Sequence, residues 1–260
     1  MTTLTSLFLK RIGMPETEKI TFQMLDELLE KTALTIPFEN LCIINKYTSV
    51  INQENLTEKI LIRNEGGVCY ELNTLLYFVL KESEFQVELV RGVVYDHQAQ
   101  DFAAVGRTHV INLLSHEGHK YIVDTGFGCN LALKPIPLSG ETVSSFNGEF
   151  RIRKEEKHYG GHLLEMKLKH KDANWRKGYA FDPNQPISDM KELNEVQSII
   201  NVHPLSSFNK GRLITRLTEQ GSITLTDSTL TEWANGSTIK KEINPSKFSD
   251  FAREHFRMKL

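Results

Sequence analysis

The stretch CYELNTLLYFVLKESEFQVELVRGVVY, residues 69–95, contains the change of period on which the fold turns. Over 69–85 the apolar residues Leu72, Leu75, Leu76, Val79 and Leu80 recur three and four apart, the stripe of an amphipathic helix. From Gln86 the period falls to two, and QVELVRGVVY reads as a strand. Helix therefore dominates before residue 86 and strand after it. The boundary predicts an α+β chain.

Upstream, SLFLKRI forms a short helix with Thr5 or Ser6 as its cap, and MPETEK breaks it. TFQMLDELLEKTALTI places Phe22, Leu25, Leu28 and Leu29 at helical spacing. Pro37 stops that helix, because the residue before a proline avoids the α region. TEKILIR starts another short helix after a loop. Downstream, THVINLL, KYIVDTGF and LLEMKLKH are strand-like runs between polar turns, as in a barrel or curled sheet. From about residue 190 the pattern mixes: a helix in SDMKELNEVQSIINVH, strands in GRLITRLTEQGSITLTDSTLTEW, and a last helix in PSKFSDFAREHF. The expected division is 1–85 helical, 86–189 barrel and 190–260 α/β.

The 260 residues are 40% hydrophobic and 25% charged, with a formal net charge of −2, as in an ordinary globular enzyme or binding domain. That charge offers no bulk attraction to nucleic acid or an anionic membrane. No apolar run nears the roughly 20 residues of a membrane span, and the N-terminus lacks the pattern of a secretory leader. A cytoplasmic location is expected. The three cysteines, Cys42, Cys69 and Cys129, are odd in number and widely spaced, which favours free thiols over disulfides or a zinc cluster.

Cys69 sits in RNEGGVCYELNTLL, where it can be a packing residue, a metal ligand or a nucleophile. Gly66 and Gly67 suit a tight turn that delivers the chain into a helix. Cys69 then occupies the first helical turn, where unpaired N–H groups and the helix dipole favour a thiolate. A packing cysteine gains nothing from that position.

A thiolate nucleophile needs a base, and the base needs an orienting group. His109 in GRTHVINLL and Asp124 in KYIVDTGFG are polar residues at the ends of apolar strands. SHEG between them has hairpin-turn composition. A turn centred between His116 and Glu117 places His109 directly opposite Asp124 on one face of the sheet, close enough for a carboxylate–imidazole bond. A one-residue slip separates them to opposite faces. The alternatives are a satisfied strand-end histidine and a turn-capping aspartate. Nucleophile, base and orienter together follow the logic of cysteine acyl-transfer enzymes.

With these residues placed, the chain resembles the arylamine N-acetyltransferases. The likeness runs through FLKRIG, IPFENL (36–41), GGVCYELN (66–73), RTHV (107–110), VDTGFG (123–128) and, more weakly, HPLSSF (203–208). It implies a helical bundle, a β-barrel and an α/β lid, with the triad Cys69, His109 and Asp124 between the first two parts. It implies acetyl-CoA as acetyl donor, an acetyl-cysteine thioester and ping-pong transfer to an arylamine, arylhydrazine or arylhydroxylamine. Phe38 and Phe127 are implied as pocket walls. Val105, Gly106, Gly126, Gly128 and Phe208 match regions that meet coenzyme A. No metal is implied, the partners are small molecules rather than nucleic acid or membrane, and a monomer or homodimer is expected.

The chain departs from the family pattern twice. Glu65 stands where the family usually carries an arginine that pairs with the glutamate of PFEN, here Glu39. Two acids then meet, with Arg63 as the nearest compensating cation and either a raised carboxyl pKa or a splayed loop as the consequence. In INVHPLSSF, Asn201-Val202 replaces a common Ser-Thr pair. A papain-like protease, a transglutaminase, an amide synthase on the same fold and a silent binding module are the competing readings. Cys42 and Cys129 read as packing thiols, His116 and His119 as solvated, and HYGGH (158–162) as a turn rather than a metal site.

Overall fold

The computed structural model describes residues 3–16, 19–155 and 159–259. The first helix, α1 (Leu4–Ile12), starts earlier than its sequence suggests, with Thr3 as cap: the Thr3 hydroxyl accepts the Ser6 N–H at 3.1 Å. Thr5, an expected cap, is instead buried, and its N–H and hydroxyl both donate to Glu82 at 2.5 Å. A carboxylate at the end of another helix thus satisfies the orphan donors of this one.

Helix α2 (Leu25–Thr35) ends before Pro37 as its sequence requires. Phe38–Glu39 then form a short strand, β1, followed by one-turn helices α3 (Leu41–Ile44) and α4 (Gln53–Leu56). Thr57–Ile62, expected as an ordinary helix, is wound as a π-helix, with the Arg63 N–H donating to the Glu58 carbonyl at 2.9 Å. Helix α5 (Cys69–Glu82) follows, and Leu72, Leu75, Leu76, Val79 and Leu80 are all buried on it.

The strands after it are β2 (Gln86–Asp96), β3 (Asp101–Phe102), β4 (His109–His116), β5 (His119–Val123), β6 (Ile136–Pro137), β7 (Val143–Ser145), β8 (Gly148–Lys154), β9 (His162–Leu168) and β10 (Arg176–Pro186). They pair in the order β6-β5-β4-β2-β10-β9-β8-β7, with β3 on β2, as a nearly closed barrel-like sheet. Helix α6 (Lys191–Val202) comes next. Strands β11 (Leu213–Thr218), β12 (Gly221–Thr226), β13 (Thr229–Ala234) and β14 (Ser237–Glu242) form a second antiparallel sheet, covered by α7 (Phe248–Phe256).

Two contacts tie the ends of the chain to its beginning. Strand β1 adds to the edge of β11, pairing Phe38 with Thr215. Leu193, Val196 and Ile200 of α6 bury into the same apolar core as α1, α2 and α5. Both contacts converge near the start of α5. Among the described residues, no helix is long and apolar enough to cross a membrane.

Candidate active site

The approach to α5 is built by backbone. Gly67 N–H donates to the Pro37 carbonyl at 3.3 Å, and Glu39 N–H donates to the Gly67 carbonyl at 3.0 Å. A Cβ on Gly66 would stand 2.1 Å from the Pro37 oxygen, so only glycine lets the two segments pass this closely. Val68 is extended, and its N–H donates to Glu71 Oε2 at 3.0 Å. Cys69 is the first residue of α5 and is 7% exposed, with its sulfur 3.6 Å from the Thr108 carbonyl oxygen.

His109 opens β4, and its Nε2 is 2.8 Å from Asp124 Oδ2, both side chains being buried. The pair forms by a different register from the expected one. The hairpin turns at Glu117 and Gly118, both at positive φ, so His116 pairs with His119 and the ladder is displaced by two residues. Asp124 lies just beyond the end of β5 and reaches His109 diagonally. An even displacement preserves the face, which is why the contact survives the change.

Asp124 and Cys69 are the two groups that favour the charged form of the His109 ring. Burial alone would lower the imidazole pKa, but Asp124 and then Cys69 outweigh it and raise the ring to about 10. Burial opposes ionisation of Asp124 as well. His109, Asn73 and the Gly126 N–H overcome it and hold the carboxyl below its ordinary value.

Asn73 is a buried residue of this site that motif reading did not single out. One turn along α5 from Cys69, its Nδ2 donates to Asp124 Oδ1 and to the Val110 carbonyl, both at 2.7 Å. Its Oδ1 accepts the Thr125 N–H at 2.9 Å. The helix bearing Cys69 is thereby fastened to both strands of the hairpin. Its burial at 0% exposure, with every side-chain hydrogen bond made to residues distant in sequence, left no signal in the sequence itself.

Cys69 and His109 open on a cavity of about 470 Å³, whose lining includes Phe38, Val105, Gly126, Phe127, Gly128 and Phe208. The Phe38 and Phe208 rings are 5.4 Å apart, and Phe127 packs 5.2 Å from His109. Gly106 does not line it. A Cβ on Gly126 would stand 2.6 Å from Cys69 Cα, so that glycine is required by α5 itself. Cys129 also lines the cavity, 3.1 Å from the Thr215 hydroxyl.

The acid pair expected at Glu65 does not form. Glu65 pairs with Arg63 at 2.7 Å near the surface. Glu39 is instead met by Lys59 at 3.2 Å, and Lys59 bonds Glu71 at 2.6 Å. The π-turn carries Lys59 inward, where it is 6% exposed. The Glu39 pKa is raised, by burial first and, among its neighbouring acids, by Glu71 rather than Glu65. Of the INVHPLSSF departure, Asn201 bonds Thr48 and Val202 is exposed; neither reaches the cavity, whereas Ser206 and Ser207 do. His116 is not simply solvated, for its ring stacks on Phe22 at 4.1 Å. Of HYGGH, His158 lies outside the described residues, and among those described no cluster of His, Cys, Asp or Glu could hold a metal.

A sequence profile of the N-acetyltransferase family matches residues 21–260. An arylamine N-acetyltransferase from Bacillus cereus, described as having a unique Cys-His-Glu catalytic triad, superposes with a TM-score of 0.94 at 38% identity over 100% of both chains. The chain belongs to the arylamine N-acetyltransferase family. Arylamine N-acetyltransferase C from Bacillus anthracis superposes with a TM-score of 0.93 at 41% identity, again over 100% of both chains. An uncharacterized acetyltransferase of Bacillus subtilis, YvcN, is 42% identical over 93% of each chain. As an arylamine N-acetyltransferase, the protein is an acyltransferase; the acid on its histidine is Asp124.

Proposed function

We propose that this acyltransferase moves an acetyl group from acetyl-CoA to an arylamine, arylhydrazine or arylhydroxylamine through an acetyl thioester on Cys69. The observation that carries the reading is the buried His109–Asp124 bond of 2.8 Å, beside a helix-initial cysteine that opens on an apolar cavity. In the first half-reaction the Cys69 thiolate attacks the acetyl carbonyl, and protonated His109 supplies the proton to the departing coenzyme A sulfur. In the second, the acceptor amine attacks the thioester, gives its proton to His109 and releases Cys69. Asp124 keeps the imidazole oriented and favours its charged form.

The cavity suits both halves. Phe38, Phe127 and Phe208 offer ring faces to an aryl acceptor. Among the described lining residues there is no lysine or arginine. The pantetheine arm therefore fits inside, along Val105, Gly126 and Gly128, and the phosphates stay outside. Burial of the thioester keeps water from hydrolysing it, which distinguishes transfer from proteolysis. On this reading residues 1–85 supply the nucleophile, 86–189 supply His109 and Asp124, and 190–260 act as a lid carrying Phe208.

The test is incubation with acetyl-CoA and no acceptor, followed by peptide mass analysis. One added acetyl group on the Cys69 peptide, removed by a later pulse of arylamine, is the expected result. Acetylation elsewhere, or none, overturns the mechanism.

A further inference from the structure

Behind the first turn of α5 lies a second buried charge cluster that the transfer chemistry does not use. Lys59 Nζ sits 2.6 Å from Glu71 Oε1, 3.2 Å from Glu39 Oε1 and 3.3 Å from Cys42 Sγ. The far oxygen of each carboxylate is committed to backbone. Glu71 Oε2 accepts the N–H of Val68, the residue before the nucleophile, at 3.0 Å. Glu39 Oε2 accepts the Leu41 N–H at 2.6 Å, and the Glu39 N–H donates to the Gly67 carbonyl.

The loop that delivers Cys69 is therefore held on one side by the Glu71 carboxylate and on the other by the Glu39 backbone N–H, and the carboxylates of these two residues share one cation. We propose that Lys59 is a positioning residue for acetyl transfer, anchoring Glu71 and Glu39 so that residues 66–69 present the Cys69 sulfur to His109. Lys59 touches neither substrate nor the reacting atoms. It acts through Glu71 on the backbone N–H just ahead of Cys69, and through Glu39 on Gly67.

Three further observations support this role. Lys59 comes from a π-turn, a rare winding that recurs at functional sites. Burial would discharge the amine, yet Glu39, Glu71 and Cys42 hold its pKa well above the ordinary lysine value, so the anchor stays cationic. A Cβ on Gly67 would lie 2.9 Å from Glu71, so the loop and its anchor are packed together with no spare room.

The inference rests on Cys69 being the acetylated nucleophile, and its test separates the two ideas. Iodoacetamide alkylation of Cys69 is followed against pH in wild type, Lys59→Met and Lys59→Arg, alongside the rate of the first half-reaction. Wild type must first show acetylation and alkylation at Cys69; if it does not, the mechanism fails and not merely this inference. In Lys59→Met the alkylation midpoint is expected to move up by at least about half a pH unit. The acetylation rate falls about tenfold or more, and Lys59→Arg, which keeps the charge, recovers most of both. A role in stability alone would lower the melting temperature and the active fraction while leaving the midpoint of the surviving sites in place. Should Lys59→Met fail to fold, Lys59→Met with Glu71→Gln removes one buried carboxylate along with the cation and is read the same way. A wild-type midpoint and rate in whichever variant folds overturns the proposal.

Discussion

Cys69 and Cys42 are both buried thiols, and each lies beside a cation held by buried carboxylates. Their surroundings nevertheless set them opposite tasks. Cys69 faces a histidine shared with one acid, at the first residue of a helix, on a cavity of about 470 Å³. Cys42 faces a lysine already claimed by two acids, in a space of only about 60 Å³. Burial first and then Glu71 push the Cys42 thiol up to about 12, so it stays protonated and inert despite a cation 3.3 Å away. A positive neighbour activates a thiol only where its charge is not already spent on nearer carboxylates and where a substrate can reach the sulfur.

The largest effect should come from exchanging the roles of the two thiols. Cys69→Ser is expected to reduce acetyl transfer at least about a thousandfold, because the acyl-accepting thiolate is gone. Cys42→Ala should keep turnover within a few-fold. Steady-state transfer to a simple arylamine measures both, and comparable losses in the two variants would erase the distinction between them.

Next in size is Asp124→Asn, which keeps the shape but loses the charge and with it the preference for the reactive histidine form. A loss of about 10²–10⁴-fold in kcat is expected. The same contact makes a pH prediction. The folded His109 pKa of about 10 lies above its ordinary 6.5. Its contribution to stability is therefore complete below about pH 6.5, declines as pH rises and is lost through pH 10. Urea unfolding of wild type against Asp124→Asn should show their difference shrinking over that window. A difference that stays flat over that window would mean that His109 is neutral in the folded protein.

Gly126→Ala should have a smaller effect that reaches Cys69 and spares Cys42. The added methyl would lie 2.6 Å from Cys69 Cα and 2.7 Å from Asn73 Nδ2, forcing α5 away from the turn after Asp124. A destabilisation of about 1–3 kcal/mol is expected from such overpacking, together with slower alkylation of Cys69. Unchanged alkylation in a folded variant would show that the helix start tolerates displacement.

The placement of Cys69, the nucleophile of the proposed reaction, was legible because its signals are local: glycines and a helix start. His109 and Asp124 were legible for a weaker reason. Their expected register was off by two residues, and only the period of two in a strand kept them on one face. Asn73 was inside a recognised motif but carries no chemistry of its own. Its role exists only once α5 packs on the hairpin, 37 and 51 positions away in sequence. Lys59 was hidden for a similar reason, since an isolated lysine in TEKILIR reads as a solvent-facing residue of an ordinary helix. The π-turn that buries it leaves no simple periodic mark.

The smallest expected effect is at Glu65, and it bears on the Lys59 cluster rather than on Cys69, His109 and Asp124. Glu65 has its own partner in Arg63, a pair whose arginine side chain is 46% exposed. Such a pair contributes about 0–1 kcal/mol. Glu65→Arg in the wild-type background gives up that contact and places two guanidinium groups side by side, while Glu39 already has its cation in Lys59. A small loss, about 0.5–1 kcal/mol, is expected there. In a Lys59→Met background the sign should reverse, because Glu39 then lacks a counter-ion and an arginine at position 65, where the family usually carries one, can supply it. Thermal melting of the four proteins in this double-mutant cycle measures the coupling. A gain in stability from Glu65→Arg with Lys59 intact would mean that one lysine does not balance Glu39 and Glu71.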